Sequence, residues 1–180
     1  MSPSDRGRIL IAIAREAIAR TGGAEAPGHA AHDWLLRPGA SFVTLRLESQ
    51  LRGCIGSIEP RRALGEDVAR NAWAAAYRDT RFPPVCAEEL SALQVEVSVL
   101  SPREALDVAD ERAALAALRP GVDGVYLEYG MLGATFLPQV WESLPDPEQF
   151  LGELRRKAGL PVRFWHRDVR LSRYTVEKYV

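Results

Sequence analysis

A chain of 180 residues, 47% of them hydrophobic and 26% charged, has the composition of an ordinary globular protein and enough apolar material for a real core. Its 23 Lys and Arg against 24 Asp and Glu give a formal net charge of −1, so nothing in the overall charge calls for nucleic acid as a partner. Two cysteines, Cys54 and Cys86, are too few for a disulfide scaffold and lack zinc or redox spacing; with no signal-peptide or membrane-length apolar run, the sequence predicts a cytoplasmic protein with reduced thiols and no membrane association.

In chain order, Leu10, Ile13, Ala14 and Ala17 recur at helical spacing, with Ser4 as a cap and Gly22-Gly23 as the stop. Residues 23–40 are rich in Gly, Pro and Ala and predict a loop with one apolar anchor at Trp34 and Leu35. Val43, Leu45 and Leu47 then alternate with polar residues, and after a short turn "LRGCIGSI" completes a hairpin over 41–58. The stretch from Arg61 predicts a second helix with a small apolar face at Leu64, Val68, Ala72, Ala75 and Ala76. Pro83-Pro84 forces an extended segment, and Val95, Val97 and Val99 mark a strand closed by Ser101-Pro102.

The second half runs in the same order. "GVYLEYG" and "GATFLP" predict a hairpin over 122–138, Asp146 and Pro147 start a helix that Gly159 stops, and Val169, Leu171 and Arg173 mark a last strand. Two hairpin, helix, strand units predict an α+β fold with a largely antiparallel sheet: one domain over 1–180, with an N-terminal helix and loop (1–40) and interlocked repeats at about 41–100 and 122–177.

Six ordered stretches, "LRGCIG", "DTRFPP", "VEVSVLSP", "GVDGVYLE", "ATFLPQVW" and "FLGELRRKAGLP", resemble the AMMECR domain family, whose bacterial and archaeal members are called AmmeMemoRadiSam system protein A. The resemblance implies two β-rich repeats sharing a barrel-like sheet, and a genomic association with Memo-type and radical SAM proteins. It brings no established reaction.

The chemistry-bearing residues each admit two readings. In an extended strand Arg52, Cys54 and Gly56 share one face, so the thiol has a guanidinium on one side and an empty position on the other, open to a ligand. Alternatively Cys54 packs as a small hydrophobe, and Gly53 and Gly56 permit a bulge or a close helix contact. Catalysis by Cys54 needs a base, and His29, His32 and His166 form no Cys-His motif with it. Glu96 and Glu128 fall opposite the apolar faces of their strands, either solvated or anchoring a ligand in a shared groove. Asp79 and Arg81 either fix a loop or bind substrate. No metal, flavin or iron–sulfur ligand set is complete, and none is assigned. The expected function is an accessory or binding protein with a cleft for a small molecule or a partner near LRGCIG; the alternative is a thiol-dependent enzyme using Cys54.

Overall fold

The computed structural model describes residues 3–20 and 32–180; His29 and the Gly22-Gly23 stop lie outside the described residues. The chain divides into two compact units, Met1–Leu100 with Glu177–Val180, and Ser101–Val176.

The first unit opens with α1 (Pro3–Ala19), which buries Leu10, Ile13, Ala14 and Ala17 as their spacing requires. Ser4 lies inside this helix instead of capping it. Part of the expected 23–40 loop is ordered: α2 (Asp33–Leu36) seats Leu35 in the core, and the first strand already begins at Pro38. Strands β1 (Pro38–Leu47) and β2 (Gln50–Gly56) form the expected antiparallel hairpin. Glu48 and Ser49 turn it with φ of 49° and 68°, the twist-matched geometry of a two-residue hairpin loop. After β3 (Arg62–Ala63), α3 (Leu64–Tyr77) lays Val68, Ala69, Ala72 and Ala76 into the core, packing on α1 as well as on β1 and β2. Each fully buried Val, Leu or Ile here contributes roughly 1.5–3 kcal/mol. Strand β4 (Gln94–Leu100) turns Val95 and Val97 inward and pairs antiparallel with β1.

The second unit contains β5 (Glu104–Leu106), α4 (Glu111–Ala117), the hairpin β6 (Gly124–Tyr129) and β7 (Leu132–Phe136), α5 (Pro147–Lys157) and β8 (Arg170–Tyr174). Asp146 caps α5 by accepting the Gln149 N–H at 2.9 Å, and Gly159 ends it at φ 83°. Phe150, Leu151 and Leu154 of α5 are fully buried beside Val125 and Leu127, and Trp141 stacks on Phe150 with centroids 3.7 Å apart. A last strand, β9 (Val176–Tyr179), follows β8 but lies beside β4.

The sheet orders are β2-β1-β4-β9 and β7-β6-β8-β5. Each places the second hairpin strand, the first hairpin strand and the strand after the helix side by side, so the repeated element order carries over into topology. The result is a mixed α and β fold with two antiparallel sheets. The described strands close no barrel, which corrects the expected single barrel-like sheet. Each sheet instead has its own path and its own apolar cluster under its own helices.

Candidate functional site

The LRGCIG stretch lies in β2, an edge strand of the first unit's sheet. Its pairing with β1 slips between Leu45 and Arg46, from Leu45 opposite Gly53 to Arg46 opposite Leu51. Arg52 is thus the extra residue of a bulge, and the simple alternation that would set it beside Cys54 is broken. Its guanidinium is committed elsewhere: Nε and Nη2 donate to the two carboxylate oxygens of Glu89 at 2.7 and 2.9 Å, and Nη1 and Nη2 reach the carbonyls of Pro83 and Pro84 at 2.8 and 3.3 Å. The Arg52 hydrogen bonds, with help from the Cys86 N–H, hold the Glu89 carboxyl down to about 2.

Cys54 itself is half-buried, and the outward edge of its peptide is covered. Its N–H donates to Asp79 at 2.9 Å, and its carbonyl accepts from Arg81 at 3.1 Å. Arg81 also makes a 2.6 Å salt bridge to Asp79, so the turn after α3 pairs with a strand edge that would otherwise be open. This salt bridge holds the Asp79 carboxyl well below the usual range, against the opposing effect of its burial. "LRGCIG" and "DTRFPP" therefore meet through charged side chains of each stretch bound to backbone groups of the other.

The two glycines have packing roles. A side chain at Gly53 would collide with the Ala75 carbonyl of α3, and one at Gly56 would collide with the ring of Phe42, its cross-strand partner. The space beside Gly56 is filled by Phe42, which corrects the expectation of an open approach to the thiol there.

What does lie beside Cys54 is a row of polar side chains running across the sheet. The thiol is 3.4 Å from the Thr44 hydroxyl; Thr44 stands opposite Glu96 on β4, whose carboxylate pairs with Lys178 of β9 at 3.0 Å. Glu96 turns away from the buried Val95 and Val97, as its strand position predicts, and its side chain is 17% exposed. A cavity of about 280 Å³ has Arg15, Arg46, Gln94 and Glu96 in its wall; Cys54 is not part of that wall. Both thiols are free. Cys86 is exposed, and Glu88 followed by further nearby carboxylates raises its pKa.

One polar centre was not read from the sequence. Asp67, 1% exposed, accepts the N–H and hydroxyl of Ser41 at 2.9 and 2.7 Å, the Ser57 hydroxyl at 2.6 Å, the Asn71 amide at 2.9 Å and Arg62 at 3.3 Å. It ties β1, the end of the LRGCIGS stretch and the start of α3 together. Asp67 and Asn71 lie four apart, between the apolar positions Leu64, Val68 and Ala72; that polar interruption of an apolar face was the available signal.

The other candidates lie elsewhere. Glu128 is exposed on β6 of the second unit, opposite Gly133 and Arg170. His166 packs edge-on against Tyr129 with centroids 5.6 Å apart, and His32 stacks on Trp34 at 6.1 Å. Among the described residues, no group of three or more His, Cys, Asp and Glu side chains is arranged to hold a metal ion, and no helix is long and apolar enough to cross a membrane.

A family model described as AMMECR1 matches residues 11–179. A protein of Methanothermobacter thermautotrophicus is 39% identical over 96% of this chain and 93% of its own length. Protein MJ0810 of Methanocaldococcus jannaschii is 41% identical over 69% of this chain and 63% of its own. The crystal structure of the uncharacterized protein PH0010 from Pyrococcus horikoshii superposes with a TM-score of 0.84 at 36% identity, covering 97% of this chain and 91% of that one.

Proposed function

The chain belongs to the AMMECR1 family, and on that premise we propose that it is a cytoplasmic accessory or binding protein of the AmmeMemoRadiSam system, which engages a small ligand or a partner through the sheet face bearing Cys54, Thr44 and Glu96. The observation that carries this reading is the cross-strand row itself. A thiol, a hydroxyl and a largely buried carboxylate lie in line, with Lys178 the only partner that approaches the carboxylate among the described residues. Such convergent, partly desolvated polar groups are what a binding surface uses to fix orientation. The residues of LRGCIG that frame the row are spent on holding it: Gly53 and Gly56 on close packing, Arg52 on Glu89.

Binding is favoured over thiol catalysis by the surroundings of Cys54. Its side chain meets the Thr44 hydroxyl and the Arg81 guanidinium, and that guanidinium is itself bound to the Asp79 carboxylate, as Arg52 is to Glu89. Among the described residues of the first unit the one histidine, His32, is stacked on Trp34. Nucleophilic use of a cysteine requires a base within hydrogen-bond reach, and none is supplied there.

The test is direct. The Memo-type and radical SAM proteins of the same genome are purified and titrated against the chain by calorimetry, alongside Cys54→Ala and Glu96→Lys variants. The reading expects at least one of the two to bind, and both substitutions to weaken it. Absence of binding by either protein, with no metabolite co-purifying in a Cys54-dependent way, overturns it.

A further inference from the structure

We infer that the β6–β7 turn and the loop after α5 together form a docking surface for an acidic segment of a partner protein. The near-neutral balance of the whole chain conceals a local excess: from Arg155 to Arg173 there are seven Arg or Lys and a single acid, Asp168. Arg155, Arg156 and Arg173 pair with Glu111, Glu153 and Glu104, whereas among the described residues Arg163, Arg167 and Arg170 pair with no acid outside the run. The fold gathers part of that run at one end of the second sheet, beside exposed apolar groups.

Tyr129 ends β6 and pairs with Leu132 across a turn that leaves Met131 fully exposed and Leu132 43% exposed. Phe164, from the loop between α5 and β8, packs edge-on against Tyr129 with centroids 4.9 Å apart. Arg163 and Arg167 flank this aromatic pair along the chain, and Arg170 begins the neighbouring strand opposite Glu128. All three arginines are exposed; among the described residues Arg163 and Arg170 have no ion pair, and Arg167 reaches only Asp168, its sequence neighbour, at 4.0 Å.

An apolar centre of Met and aromatic residues with an arginine rim is the composition of a protein–protein interface. The excess of positive charge, three arginines against Asp168 and Glu128, favours an acidic partner, and Met131 and Leu132 select one that also presents apolar side chains. Single-stranded nucleic acid would require ring faces open for stacking, whereas Tyr129 and Phe164 are half-buried and turned edge-to-face on each other. The inference uses no residue of the Cys54 row, so it stands or falls separately from the function proposed above.

The experiment uses the full chain and two fluorescein-labelled probes, a peptide of repeated Glu-Glu-Leu and an oligouridine. Fluorescence anisotropy is expected to show saturable, salt-sensitive binding of the peptide and none of the oligouridine. A double Arg163→Glu, Arg167→Glu variant weakens the peptide about tenfold or more, and the neutral Met131→Ser weakens it at unchanged salt dependence. These positions are exposed, so unchanged thermal melting verifies that each variant is folded. No peptide binding, equal binding by the variants, or tighter binding of oligouridine than of peptide overturns the inference.

Discussion

The ring of Phe42 lies where a side chain on Gly56 would have to go. The two residues are directly paired across β1 and β2, so the glycine and the aromatic ring form one packed unit. Gly56→Ala is therefore expected to cost ~1–3 kcal/mol, and Phe42→Leu to recover part of that loss in the double variant, because the obstruction is a side chain that can be shortened. Gly53→Ala is expected to cost more, ~3 kcal/mol or above, since it meets the Ala75 carbonyl of a helix backbone. Urea unfolding of the two single variants and the double checks both the order and the rescue.

Both hairpins, α1, α3, α5 and the strands β4 and β8 were legible because each is written in local periodicity, with Asp146-Pro147 and Gly159 marking the ends of α5. What escaped was short or non-local. Strand β5 has three residues and β9 four, too few for alternation to register. α4 carried a readable cap, Asp110 accepting the Ala113 N–H at 2.8 Å, but only seven residues follow it. The place of Cys54 and Glu96 in one cross-strand row depends on β1 pairing with both β2 and β4. Of the two readings of LRGCIG, the one with a bulge and a close helix contact at the glycines matches the register shift at Arg52, whereas the partner of Arg52, Glu89, is 37 residues away and has no mark in the local sequence.

Asp67 answers for several donors at once. Asp67→Ala leaves Ser41, Ser57 and Asn71 without their shared acceptor in a buried setting, and a loss of ~3 kcal/mol or more is expected. Asp67→Asn retains an oxygen acceptor and is expected to cost less. The two denaturation midpoints, compared with the parent, test whether this carboxylate organises the start of α3.

Acid sensitivity follows from Glu89. Its carboxyl titrates at about 2 in the folded chain because Arg52 binds the ionised form, against about 4.3 when unfolded. A depressed carboxyl contributes stability that is complete above the unfolded value and is lost as pH falls through the folded one. The stability gap between the parent and Glu89→Gln should thus be constant above pH ~5 and shrink between ~4.3 and ~2. Asp79, also depressed, by its Arg81 salt bridge, should behave the same way in an Asp79→Asn comparison. Urea midpoints measured at stepped pH decide; a gap that widens on acidification would contradict the assignment.

The central claim is that the face bearing Cys54, Thr44 and Glu96 receives a partner or ligand of the AmmeMemoRadiSam system. Its most direct test is alkylation of Cys54 in a Cys86→Ala background, timed with and without the Memo-type and radical SAM proteins at saturating concentration. The account predicts that one of them slows the labelling, and that Glu96→Gln weakens the protection, with the unprotected labelling rate and the melting curve of that variant measured alongside as its own reference. Labelling that proceeds at the same rate with either protein present would contradict it.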